Sequence, residues 1–451
     1  MSRVTGWLLA VLAAEVVVLA TSCQNPSAVA MRRYDRQQRS GVGLAGDRYL
    51  IKFQPSTPLA RQEWLIQQAG ATTIREIPAL GTSIVSSYRD LLQLAGSEIA
   101  YVELDNLRYA AEPAVTVRSG AVSPSFSGSG NGPGIGRSTD DPLAPAQWGI
   151  AMIRAPEAWQ RTMGDPEIVV AVLDTGVDLH HPDLRNQLVS GINFVARRQQ
   201  SSSSQENIVG MIANKVGPMD DNGHGTHVAG IVAAEANNAE GGAGVAPRCR
   251  IMPVKVLAYD RTGHDGDVAS GIVWAVEHGA RVINMSLGGE GGSRTLEQAI
   301  NYAQTHGVLV CAAMGNDGEK PEKNWGANLN YPAAYAGVLA VAAVAESGER
   351  ASFSNRGRWI GVAAPGVEIL STVPTYEVYD PLPPGYAAMP GTSMATPFVA
   401  GAAALLLSAH RNLDGPAVRQ ILTSSARDIS FAGFDFATGY GLLDAAAALD
   451  R

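Results

Sequence analysis

The chain has 451 residues, 46% hydrophobic and only 17% charged, so it can bury a substantial core and is not disordered throughout. A net charge of -8 offers no broad positive field for phosphate backbones or acidic lipid, which sets aside a charge-driven nucleic-acid role. Three cysteines cannot form a disulfide scaffold, and 49 glycines with 25 prolines imply many tight turns.

Residues 7–20 are almost wholly apolar behind Arg3, but the run is short and interrupted by Glu15, so it does not span a bilayer core of about 30 Å. Residues 1–30 therefore read as an export segment. Two endings are compatible with it: Ala28, Val29 and Ala30 resemble a cleavage site, while residues 19–23 (LATSC) resemble a lipoprotein box that would place lipid on Cys23. The expected destination is outside the cytoplasm, either secreted or lipid-anchored at the cell envelope.

Residues 48–53 alternate like a strand, and Leu59, Trp64, Leu65 and Ala69 mark one face of a helix over 58–69. Strands over 73–77, 82–86 and 99–104, with a helix over 89–95, complete a small β-α-β-β-α-β, ferredoxin-like module at 48–110. Residues 111–140 then turn to Ser, Gly and Pro, the composition of a flexible linker open to proteolysis.

From residue 141 to 451 buried strands (168–173, 250–257, 282–287, 308–313, 338–344) alternate with helices (267–278, 295–305). Continuous apolar strands separated by helices predict an α/β, doubly wound, mostly parallel sheet covered on both faces, with chemistry beyond the carboxyl ends of its strands. Cys249 and Cys311 read as structural thiols with no histidines at metal-ligand spacing.

Three motifs fall where such a sheet presents them. Asp174-Thr175-Gly176 ends a buried strand, Asn222-Gly223-His224-Gly225-Thr226-His227 opens a helix, and Gly391-Thr392-Ser393 precedes a long apolar helix over 398–407. Singly these are a turn cap, a helix start and an N-cap. Together they supply the parts of nucleophilic catalysis: a serine hydroxyl attacks well only if an imidazole takes its proton, and the imidazole needs a carboxylate to fix its tautomer. Asn316, in Gly315-Asn316-Asp317 at the end of a buried strand, can donate to the oxyanion that acyl transfer builds, and the Ser393 N–H at its helix start would be a second donor.

The order Asp174, His224, Ser393 and these three motifs resemble the subtilisin-like serine peptidases, or subtilases, over residues 141–451. The resemblance implies Asp174 as orienter, His224 as general base and acid, Ser393 as nucleophile and Asn316 as oxyanion donor. It assigns Ser286, Leu287 and Gly288 to the edge that pairs with substrate backbone, and gives His227 a supporting role. Residues 48–110 are similar to the family's inhibitory propeptide, an intramolecular partner removed by self-cleavage in 111–140. The resemblance to the thermitase-like branch further implies a structural calcium site with side chains from Asp141, Asp183 and Asn238 and carbonyls from Glu235, Glu240 and Gly242.

The expected activity is serine endopeptidase hydrolysis of proteins or peptides by an exported, self-inhibited precursor. Two other outcomes use the same residues: an acyl-enzyme captured by an amine, giving a ligase or macrocyclase, and a silenced peptide-binding module. A Ser- and Gln-rich insertion between Asn193 and Asn222, a Pro-rich loop over 376–389, Pro390 and Met314 depart from the family pattern near the cleft. The floor of the pocket for the residue before the scissile bond falls in the divergent stretch 318–331, for which a large apolar occupant is expected.

Overall fold

Alternation decides the layout of the amino-terminal module. The computed structural model describes residues 46–94, 96–111, 139–195, 217–318 and 329–451. The export segment, most of the linker, the Ser- and Gln-rich insertion and residues 319–328 of the pocket floor lie outside these described residues. Strand β1 (Asp47–Phe53), helix α1 (Leu59–Gln68) and strands β2 (Ala71–Ile77), β3 (Thr82–Ser87) and β4 (Ile99–Leu104) form the module. The four strands make an antiparallel sheet in the order β2-β3-β1-β4. Tyr49, Ile51 and Phe53 pack on the module's own Ile66 and Val85, while Leu50 and Ile84, on the opposite face, join the core of the larger domain. Each such aliphatic side chain contributes about 1.5–3 kcal/mol when removed from water.

The second helix expected over 89–95 is absent among residues 89–94. Ser87 Oγ accepts the Arg89 N–H at 3.0 Å and Asp90 Oδ1 accepts the Leu92 N–H at 2.9 Å. These short side-chain bonds compete with the first helical turn and leave a run of bends that still buries Leu91. A short strand, β5 (Leu107–Ala110), follows the module.

In the larger domain two short helices, α2 (Trp148–Met152) and α3 (Ala155–Trp159), lead to β6 (Val169–Asp174), β7 (Ile192–Asn193) and helix α4 (His224–Ala233). Then come β8 (Arg250–Lys255), β9 (Thr262–His264), α5 (Asp265–Glu277), β10 (Val282–Met285), β11 (Leu287–Gly288) and α6 (Arg294–Thr305). Strands β12 (Leu309–Ala313), β13 (Leu339–Val344), β14 (Ile360–Pro365), β15 (Ile369–Val373) and β16 (Gly385–Met389) precede α7 (Thr392–Ala409), α8 (Gly415–Ser424) and α9 (Ala445–Leu449).

Seven strands form one parallel sheet in the order β14-β13-β12-β10-β6-β8-β7, as the apolar runs predict. Successive residues face opposite layers. Val170, Val172 and Cys311 meet α4 and α7 through Val228 and Ala395, whereas Ala171, Leu173 and Ala312 meet α5 and α6 through Ile272 and Ile300. The fold is α/β with helices on both faces, as expected. Strand β14 and the β15-β16 hairpin are elements the apolar periodicity did not single out.

The module docks on the amino ends of α5 and α6 by supplying their caps. Asp105 Oδ1 accepts the Gly266 N–H at 2.7 Å, and Glu103 accepts the backbone N–H groups of Arg294 at 3.0 Å and Thr295 at 2.9 Å. Carboxylates there satisfy orphan helix donors and face the positive end of the helix dipole. Arg48 bridges Asp105 and Asp267, and Arg75 also reaches Asp267.

Candidate active site

Glycines bring the first two motifs together. A Cβ at Gly225 would stand 2.1 Å from the Gly176 carbonyl oxygen, so only glycine lets the start of α4 approach the turn after β6 this closely. Gly223 caps α4 at φ 114, in the left-handed region. As a result His224 Nδ1 lies 2.7 Å from Asp174 Oδ1, with both side chains fully buried. The same Asp174 oxygen accepts the Thr175 N–H at 2.7 Å.

Asp220, which the motif reading passed over, fastens this corner. Its buried carboxylate accepts from Thr226 N (2.9 Å) and Oγ1 (2.6 Å), Gly223 N (2.9 Å), Asn222 N (3.0 Å) and Thr175 Oγ1 (2.8 Å). It thereby ties the Asp174 turn to the His224 helix, and its place four residues before the histidine was the available signal. Lys255, also buried, pairs with Asp221 at 2.6 Å and donates to the Thr175 and Leu257 carbonyls.

Ser393 sits in the first turn of α7, after Gly391 at φ 143. Its Oγ donates to the carbonyl oxygens of Ser286, at 3.0 Å, and of Ala111. Asn316 is oriented by Thr392, whose N–H and Oγ1 both donate to Asn316 Oδ1 at 3.0 Å. Because a backbone N–H can only donate, the amide oxygen must face Thr392 and the NH2 group must point away. It points at the Ala111 carbonyl oxygen, 2.5 Å from Asn316 Nδ2.

Strand β5 delivers Ala111 to that place. It lies antiparallel between β11 and β9, with Ala110 opposite Leu287, Tyr109 opposite Gly288 and Arg108 opposite Gly263. The Ala111 N–H continues the ladder to the Ser286 carbonyl at 3.1 Å. Ser286, Leu287 and Gly288 thus form one wall of a cleft that holds an extended segment by its main chain. Ala111 belongs to this ladder and not to the linker that was expected to begin with it.

His227 is fully buried and points away from this cleft. Its Nε2 meets the carbonyls of Ile369 at 2.9 Å and Ala387 at 3.1 Å, so it carries the proton and ties α4 to the β15-β16 hairpin. Burial pushes its pKa down to about 3. Cys249 and Cys311 are buried free thiols, and burial pushes Cys249 up to about 11.

The residues expected around calcium come together from three segments, at Asp141, at Asp183 and in the loop over 235–242. Asp141 accepts from the Asn237 and Asn238 N–H groups at 3.0 and 3.2 Å, Asp183 accepts from Asn238 Nδ2 at 2.8 Å and Gly242 N at 3.4 Å, and Asn238 Oδ1 accepts from Glu240 N at 3.0 Å. The Glu235 N–H donates to the Asp183 carbonyl at 2.9 Å. Among the described residues no three His, Cys, Asp or Glu side chains converge as a ligand set. The donors nonetheless suit a hard cation: Asp141 and Asp183 are buried carboxylates, and burial, with Asp141 and Glu235 nearby, raises Asp183 to about 7.

The profile of the subtilase family of S8 peptidases matches residues 165–441. A thermophilic serine proteinase of Bacillus sp. (strain AK1) is 44% identical over 282 residues, 62% of this chain and 62% of that protein. Thermitase of Thermoactinomyces vulgaris is 40% identical over 301 residues, 66% of this chain and 95% of its own length. Among solved structures, fervidolysin from Fervidobacterium pennivorans, described as a keratinolytic enzyme related to subtilisin, superposes with a TM-score of 0.72 at 30% identity. That match covers 92% of this chain and 62% of fervidolysin's, so the chain spans under two thirds of two of these relatives.

Proposed function

The chain belongs to the subtilase family of serine peptidases, and we propose that it is an exported endopeptidase, made as a self-inhibited precursor, that cuts its own Ala111–Glu112 bond. One observation carries this reading. The Ala111 carbonyl is held between Ser393 Oγ and the Asn316 amide, on a strand paired along both edges.

In this mechanism Ser393 Oγ attacks the Ala111 carbonyl carbon while His224 Nε2 takes its proton, and Asp174 holds the imidazole with its proton on Nδ1. The oxyanion accepts from Asn316 Nδ2 and from the Ser393 backbone N–H. His224 then protonates the departing nitrogen, which becomes the amino group of Glu112, and water releases the acyl group from Ser393. The same cleft afterwards accepts other protein chains by strand addition along Ser286, Leu287 and Gly288, which reads main chain and tolerates varied sequences.

Residues 46–111 act as the inhibitory propeptide until released. Asp141, Asp183 and Asn238, with carbonyls of Glu235, Glu240 and Gly242, would hold a structural Ca2+ that balances buried charge and takes no part in the reaction. Residues 1–30 carry the protein across a membrane, ending in release after Ala30 or in acylation of Cys23. The test is labelling by a fluorophosphonate together with casein hydrolysis. The matured wild type labels at Ser393 and digests casein, and Ser393→Ala does neither. A matured wild type that fails to label overturns the peptidase reading.

A further inference from the structure

Arg108 is fully buried, the largest side chain so enclosed among the described residues. Its guanidinium is gripped in a forked, two-point pair by Asp265, Nε to Oδ1 at 2.6 Å and Nη2 to Oδ2 at 3.0 Å. Nη2 also donates to the Gly291 carbonyl at 2.9 Å and Nη1 to the Glu290 carbonyl at 3.3 Å. Every one of these acceptors belongs to the large domain, and none to the module that carries Arg108.

The strand register places Arg108 as the fourth residue back from the Ala111–Glu112 bond. Side chains of an extended strand alternate, so Arg108 points into the domain while Tyr109 stands 49% exposed. Gly289 leaves room for the group: a Cβ there would stand 3.0 Å from Arg108 Nη1. When the module leaves, Asp265 loses Arg108, and Asp267 loses Arg48 and Arg75. The vacated pocket retains the Asp265 carboxylate and the two loop carbonyls, all acceptors, placed where they gripped a planar cation.

We propose that Asp265 is a specificity-determining residue, which makes the cleft of the mature enzyme select protein substrates with arginine at the fourth position before the cleaved bond. The inference rests on β5 occupying the cleft as a substrate does. Arginine is favoured over lysine because a planar fork matches both Asp265 oxygens at once, where an ammonium meets only one. Arg108 is then the first such arginine the enzyme meets, and the module inhibits partly by filling this pocket.

The experiment measures kcat/KM of the matured wild-type protein on N-acetyl-X-Tyr-Ala-Ala 4-nitroanilides, with X arginine, its uncharged isostere citrulline, leucine or glutamate. Charged hydrogen bonds of this kind predict that arginine exceeds citrulline and leucine by about 10- to 100-fold, with glutamate lowest. In Asp265→Asn the ratio of the arginine to the leucine rate falls at least tenfold, a change of selectivity that a merely structural role for Asp265 would not produce. If Asp265→Asn does not mature, the arginine-to-citrulline ratio of the wild type decides alone. Equal rates on arginine, citrulline and leucine peptides overturn the proposal and leave the peptidase reading standing. A fluorophosphonate-unreactive protein that cleaves none of them overturns both.

Discussion

The side-chain amide of Asn316 lies 2.5 Å from the carbonyl oxygen of Ala111, a residue 205 positions earlier in the chain. Thr392 holds that amide from its other end, so the donor is in place before any charge develops on the oxygen. Asn316→Ala should slow conversion of the precursor by about 10²- to 10³-fold, the range for losing one oxyanion donor. Gel densitometry of precursor against time measures it, and an unchanged rate removes Asn316 from the reaction.

Release of the module should depend on pH through Asp105. Burial pushes this carboxyl from 3.8 up to about 6, against the pull of Arg48 and reinforced by Asp267. An acid whose pKa is raised in the docked state contributes to docking fully below 3.8, and that contribution is lost as pH rises to about 6. The cleaved module should therefore leave faster after incubation at pH 7 than at pH 4.5, with activity read afterwards at one common pH. Asp105→Asn should flatten the difference, and a release rate that rises toward acid contradicts the assignment.

Calcium should stabilise the fold without altering the chemistry. Saturating calcium at about 100 times its Kd adds about 2.7 kcal/mol, a shift of several degrees in Tm. Differential scanning calorimetry with calcium or with a chelator should show that shift in the wild type and lose it in Asp183→Asn. Identical melting in both conditions would mean that the site formed by Asp141, Asp183 and Asn238 binds no calcium.

His227 should make the protein acid-labile. Its buried imidazole is held neutral, with a pKa pushed down from 6.5 to about 3 by burial. A depressed pKa contributes stability above 6.5 that drains away as pH falls toward 3, at about 1.4 kcal/mol per pH unit for one proton. Denaturant titrations of wild type and His227→Gln from pH 7 to 4 test it. The variant, less stable at pH 7, should have a slope shallower by about one proton, and parallel slopes would place the acid lability elsewhere.

The candidate site stands out in the sequence because each of its residues sits in a short motif whose glycines have a structural reason. Gly225 permits the close approach of α4 to the Asp174 turn, and Gly391 permits the turn into α7. The central sheet was readable for a different reason, since strands buried on both faces must be apolar throughout, as in β6, β12 and β13. What periodicity could not foresee depended on side chains acting locally or at long range. Asp90 and Ser87 divert residues 89–94 from a helix that their apolar spacing suggests. Arg108 and Asp265 are 157 positions apart, and an aspartate at a helix start reads as an ordinary capping residue until the strand register sets an arginine against it.

In the proposed reaction Ser393 attacks the chain's own Ala111 carbonyl. Intact-mass analysis and amino-terminal sequencing of wild type beside Ser393→Ala, each produced without residues 1–30, decide whether it does. The prediction is a wild-type fragment beginning at Glu112 and an uncut Ser393→Ala protein in which residues 46–111 remain in place. Cleavage of both proteins at Glu112, or a wild-type amino terminus elsewhere with the Ala111–Glu112 bond intact, would contradict it.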